Sequence, residues 1–96
     1  MTVLTLTSTG QRPLRPLVEA AIENQLQLLR AGIERTEERL RTFEQEYGFS
    51  SAEFIRRYEN DELAETLAFV EWVGEYRMLT RLREKVETLQ EIRFAD

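Results

Sequence analysis

Apolar residues recur through the first half of this chain at alternating steps of four and three. Ile22, Leu26, Leu29, Ile33, Leu40, Phe43 and Tyr47 keep that spacing, and Thr36 takes the one remaining slot. A stripe of this kind is the seam of a helix packed against another helix, as in a coiled coil. Gly32 lies beside the stripe without changing its phase, so the pattern predicts one continuous helix with a locally weakened site. Arg12-Pro13-Leu14-Arg15-Pro16 forces an extended approach, and Pro16 suits a first helical turn, where its missing N–H is not needed. The helix is therefore expected to start near Pro16. It should end at Tyr47-Gly48, with Gly48 closing the last turn in a left-handed conformation. About 31 residues at 1.5 Å each make a rod roughly 46 Å long, more than a single small helix can cover.

A second start signal follows at once. In Ser50-Ser51-Ala52-Glu53, Ser50 can cap a helix and Glu53 can reach back to it, while Phe49 before the cap can staple onto Phe54. A short helix through Tyr58 is expected. Glu59-Asn60-Asp61-Glu62 then offers an Asn or Asp cap and negative charge at the positive end of a third helix, expected to reach about Arg93. Its apolar stripe is Phe69, Trp72, Tyr76, Leu79, Leu82, Val86 and Leu89, with two consecutive steps of three between Tyr76 and Leu82. That irregularity rotates the seam, so the packing should change partners part-way along.

Two rods of similar length joined by a short helix predict an all-α fold: an antiparallel hairpin of two long amphipathic helices. Before it, Thr2-Val3-Leu4-Thr5-Leu6-Thr7 alternates Thr with aliphatic residues, and Ser8-Thr9-Gly10 supplies turn formers, the pattern of one short strand. A lone strand must pair with another copy, pair with a partner, or fray. The chain thus divides into an extended segment, residues 1–15, and a helical hairpin domain, residues 16–96. Leu17, Val18, Leu28, Leu67, Val70 and Val73 fall off the narrow seam, where a further surface could bury them, so self-association or a protein partner is expected.

Composition narrows the chemistry. With no Cys and no His, the chain has no thiol nucleophile, no imidazole acid/base and none of the usual zinc ligands. No apolar run approaches the roughly 20 residues of a membrane span, and the Thr-rich start lacks the order of a secretion signal, so cytoplasmic residence and no membrane contact are expected. A net charge of −5 argues against general nucleic-acid binding and suits a basic protein partner. From Glu59 to Glu75 there are six acidic residues and no Lys or Arg, and then Arg77, Arg81, Arg83 and Lys85 follow. This order complements the helix dipole, and the acidic block reads either as a solvated helix face or as a docking surface for a basic partner.

Candidate site residues are few. Glu71 and Glu75 lie one turn apart, with Asp61, Glu62 and Glu65 upstream, but a helical di-iron site would add Glu-x-x-His. Ser50 and Ser51 have no base beside them, and the four glycines are scattered rather than gathered into a phosphate loop. No catalytic residue, cofactor or metal site is expected, and the chain does not read as an enzyme. Phe54, Tyr58, Phe69, Trp72 and Tyr76 are the candidate partner-binding group, because Trp and Tyr dominate binding hot spots. Core packing across the hairpin would use the same aromatics. Leu26, Leu29, Ile33, Leu40 and Phe43 are the candidate oligomer seam.

The run Phe43-Glu44-Gln45-Glu46-Tyr47-Gly48-Phe49-Ser50-Ser51-Ala52-Glu53-Phe54, with Arg57-Tyr58-Glu59-Asn60-Asp61-Glu62-Leu63 and Phe69-Val70-Glu71-Trp72, resembles small helical antitoxin-like proteins of bacterial and archaeal toxin–antitoxin pairs. The likeness covers roughly residues 40 to 80, and is carried by the Phe-x-x-x-Tyr-Gly pattern with its capping box and by the Glu-Trp pair. Members often carry Gly where this chain has Asp61, so the turn before the last helix is expected to differ. The resemblance implies neutralisation of a cognate toxin by direct binding, with a role in repressing the shared operon. Two other classes remain open on the residues alone. One is a structural homo-oligomer whose seam is satisfied by copies of itself. The other is a DNA-binding regulator with Thr2–Thr7 strands paired into a ribbon, although that ribbon would hold no Lys or Arg.

Overall fold

The computed structural model describes residues 2–7, 10 and 13–94. The turn expected at Ser8 and Thr9, and Arg12 of the extended approach, lie outside them. Three helices carry the fold: α1 (Arg15–Tyr47), α2 (Ser51–Glu59) and α3 (Leu67–Gln90). Two three-residue strands, β1 (Thr2–Leu4) and β2 (Ile92–Phe94), pair in parallel in the register Thr2 with Ile92 and Leu4 with Phe94. The extended start thus finds its ladder inside the chain.

Local chemistry explains most boundaries. Pro16 sits in the first turn of α1, and Gly48 closes its last turn at φ 80°, donating its N–H to the Glu44 carbonyl at 2.9 Å. Ser50 caps α2, its Oγ accepting the Glu53 N–H at 3.1 Å. The reciprocal half of the capping box is replaced. The Glu53 carboxylate accepts from Arg56 and Arg57 instead, and the Ser51 N–H donates to the Glu44 carboxylate at 2.7 Å, so α1 supplies a cap for α2. Helix α3 departs from expectation at both ends. Its cap is Thr66, which accepts the Phe69 N–H at 3.2 Å, whereas Asn60 ends α2 and Asp61 turns the chain at φ 56°. Thr and Asp compete for the same role here, and tertiary packing of Leu63 against the core carries the chain past the first candidate. At the far end α3 stops at Gln90 rather than near Arg93, because residues 92–94 enter the ladder.

The long helices meet in a definite order: Tyr47 against Phe69, Phe43 against Trp72, Arg39 with Glu75, Glu37 with Arg83, and Gly32 facing Leu82. Numbers fall along α1 from 47 to 32 as they rise along α3 from 69 to 82, with the long Arg83 side chain reaching back to Glu37. Leu26, Leu29 and Leu40 of the expected seam are buried, while Ile33 and Phe43 are half-buried against the core. Thr36, 3% exposed, is accommodated in the stripe because its hydroxyl donates to the Gly32 carbonyl at 2.9 Å. Gly32 itself is buried. A Cβ there would stand 3.4 Å from Leu82 Cδ1, so α3 comes close to the glycine and leaves room for little more than a methyl group.

Helix α2 covers one end of this pair, and the densest core lies there: Leu40, Phe54, Trp72, Val73 and Leu79. Val73, expected off the seam, is 4% exposed, because α2 gives α3 a second helix to bury against. A groove of about 280 Å³ between Ile55 and Glu59 of α2 and Tyr76, Arg77 and Thr80 of α3 marks where that cover runs out. The two steps of three begin at the same place. Among the described residues, no helix is long and apolar enough to cross a membrane.

Candidate functional site

The covered end of the molecule is built on stacked rings. Phe54 and Trp72 are wholly buried and lie face to face, with centroids 3.9 Å apart and planes 1° from parallel. Phe43 stacks on Trp72 at 5.4 Å, Tyr47 packs beside both Trp72 and Phe69, and Phe49 closes over Trp72 at 5.4 Å. The staple is present, with Phe49 and Phe54 6.3 Å apart, and the Arg57 guanidinium lies 5.0 Å over the Phe49 ring. Trp72 Nε1 donates to Ser51 Oγ at 2.9 Å, which satisfies the polar edge of the buried indole.

The five aromatics singled out from the sequence therefore come together, but in the core. Phe54 and Trp72 keep no surface for a partner to touch. Tyr58, Phe69 and Tyr76 are half-buried around them. Ser51 escapes a sequence reading because it sits next to the cap and looks like part of it. The signal that could have found it is the need of a buried Trp for an acceptor.

Around this core runs a rim of charge. Glu53 accepts from Arg56 at 2.7 Å and Arg57 at 2.9 Å, and these bonds hold its carboxyl down to about 2. The Tyr58 hydroxyl donates to Glu65 at 2.8 Å, which raises its phenol above the ordinary value of 10.0. Glu59, Asp61, Glu62, Glu65 and Glu71 are all exposed. Among the large apolar residues beside them, Leu67 is 76% and Val70 46% exposed, both at the start of α3.

The carboxylates do not assemble into a centre. Glu75 is engaged by Arg39 at 3.3 Å, and no group of three or more potential ligands among the described residues is placed to hold a metal ion. On the opposite half of the rod, a groove of about 620 Å³ is lined by Gln25, Leu29, Arg81, Lys85, Thr88 and Leu89. Its hydroxyl is Thr88, which donates to the Glu84 carbonyl within its own helix. The chain matches no protein-family model, no curated protein and no solved structure.

Proposed function

We propose that this chain is a protein–protein interaction module, an antiparallel helical hairpin of the antitoxin-like kind, which neutralises a cognate basic protein, a toxin, by direct binding. The carrying observation is the juxtaposition of Leu67 and Val70, exposed in the first turn of α3, with exposed Asp61, Glu65 and Glu71, between which the sequence holds no Lys or Arg; Glu62 beside them pairs with Arg56 at 3.4 Å. Apolar area supplies the affinity of such a surface, and its acidic border steers a cationic partner and excludes anionic ones. The stacked core beneath serves as a rigid platform, so little ordering cost falls on binding. The resemblance over residues 40 to 80 points to the same partner class, and that segment includes both exposed apolar residues.

Shape supports an interaction role. The radius of gyration is 19.0 Å, against about 12.5 Å for a compact domain of this length. A rod of 60 × 22 × 17 Å offers long lateral faces and little enclosed volume.

The test is co-expression with the neighbouring gene product. Copurification, and relief of any growth inhibition that product causes, is expected. Both should be lost on joint Leu67→Glu and Val70→Glu substitution, with unchanged unfolding of the isolated chain. Absence of both copurification and relief in the unaltered protein would sink the reading.

A further inference from the structure

One face of α1 is uncharged where a solvated helix would carry charge. Between Leu14 and Glu34 the charged residues are Arg15, Glu19, Glu23, Arg30 and Glu34. They follow one another at steps of four and seven, which at about 100° per residue gathers them on a single flank. The opposite flank carries Leu14, Leu17, Ala21, Asn24, Leu28 and Ala31, spaced by alternating steps of three and four. This is a second heptad stripe, roughly 140° round the helix from the seam that faces α3. Leu17 is 66% and Leu28 61% exposed; Ala21, Asn24 and Ala31 are exposed as well. Nothing in α2 or α3 covers the stripe, and its neighbours Ala20, Gln25 and Gln27 are also uncharged.

We infer that the chain is a homodimer whose copies pair antiparallel through this stripe. The inference concerns a different surface from the acidic end of α3 and stands whether or not a basic partner binds there. Its grounds are area, register and charge. The chain exposes 7194 Å², against about 5,800 Å² for a compact monomer of its mass. The excess of about 1,400 Å² exceeds the roughly 800 Å² that each partner buries in a stable interface.

Register follows from the spacing. In an antiparallel pair the two heptad positions face one another, so Leu14 meets Ala31 of the partner subunit, Leu17 meets Leu28 of the partner subunit, and Ala21 meets Asn24 of the partner subunit. Large residues face small ones at the ends, and the pairing is closed by a two-fold axis between Ala21 and Asn24, as an isologous interface requires. A parallel pair would set the two blocks of acidic residues from Glu59 to Glu75 side by side, in chains that each carry −5. The antiparallel pair sends these blocks to opposite ends, which removes that repulsion.

Sedimentation of the whole chain should give twice 11.4 kDa at micromolar concentration. Joint Leu17→Glu and Leu28→Glu substitution should weaken the dimer on the order of 100-fold, giving monomers, because two unpaired charges from each chain would be buried facing like charges. Both positions are exposed in the monomer, so its helix content should not change. Since the chain has no Cys, disulfide mapping supplies an independent readout. A mixture of Leu17→Cys and Leu28→Cys chains should cross-link on oxidation. Leu17→Cys alone should not, because its two copies stand roughly 16 Å apart along the axis, well beyond disulfide reach. A monomeric unaltered chain, a dimer that survives the double Glu substitution, or Leu17→Cys cross-linking as well alone as in the mixture would each overturn the inference.

Discussion

The indole N–H of Trp72 reaches the hydroxyl of Ser51 across 21 residues of sequence, at 2.9 Å and out of contact with solvent. This bond joins the first residue of α2 to the middle of the aromatic stack. Ser51→Ala would leave the indole donor unsatisfied in the core, and should cost about 1–3 kcal/mol. Urea unfolding followed by the fluorescence of Trp72, the chain's single Trp, measures it. An unchanged midpoint would mean that the bond contributes nothing.

Phe54 supplies the matching prediction on packing. Its ring lies on Trp72 with no exposed area, so Phe54→Ala should cost about 3–5 kcal/mol. Small domains hold about 5–15 kcal/mol in all, so this variant should be largely unfolded by modest urea. The expected signature is a large drop in unfolding midpoint, against little change for Leu67→Ala, whose side chain is 76% exposed.

Two turns hold left-handed backbone with different residues. Gly48, at φ 80°, suits that conformation, and Gly48→Ala should lower stability by about 1 kcal/mol. Asp61, at φ 56°, tolerates it less well than glycine, and Asp61→Gly should raise stability by a few tenths of a kcal/mol. Thermal melts of the two variants should therefore move in opposite directions.

Gly32 and Leu82 set a limit on how closely α1 and α3 approach. A Cβ at residue 32 would stand 3.4 Å from the flexible end of Leu82, so Gly32→Ala should gain most of the roughly 1 kcal/mol of helix propensity. Gly32→Val carries branches into the same space and should destabilise. A melt of Gly32→Ala below that of the unaltered chain would show that Leu82 cannot yield.

Acid should loosen α2 before the rest. Glu53 is held down to about 2 by Arg56 and Arg57, below its model-compound 4.5. A depressed carboxyl stabilises the fold above its unfolded value, and that contribution is lost as pH falls from 4.5 towards 2. Glu53→Gln should flatten this part of the stability profile. Tyr58 acts in the other direction, since Glu65 raises its phenol. The contribution is complete below 10.0 and is lost as pH rises through the higher folded value, so Tyr58→Phe should remove an alkaline phase of unfolding.

The helices were legible because their signals are local. Pro16, Gly48 and Ser50 each act within a turn of themselves, and the stripe from Ile22 to Tyr47 repeats without a break. Legibility failed where distant groups decide. Asn60 and Asp61 look as good a cap as Thr66, and the choice depends on packing elsewhere in the core. Residues 92–94 continue a plausible helix until β1 competes for their backbone. Glu53 had an assigned partner in Ser50, but two guanidiniums outbid a neutral amide for its oxygens. The aromatic group was recognisable as a cluster, yet its burial rests on α2 folding over it. The exposed pair Leu67 and Val70 could be listed from sequence, but their position on the surface required knowing where α3 begins.

The pairing of β1 with β2 brings the beginning and end of the described chain side by side, Thr2 next to Ile92. Force applied between these two handles does not shear the rod along its 60 Å length. It parts the ladder first and then separates facing turns of α1 and α3 a few at a time, as a zipper opens. Resistance is met sequentially, and the Phe54–Trp72 stack, far from the handles, comes last. Mechanically, the molecule is a long soft arm with a clasp at its closed end.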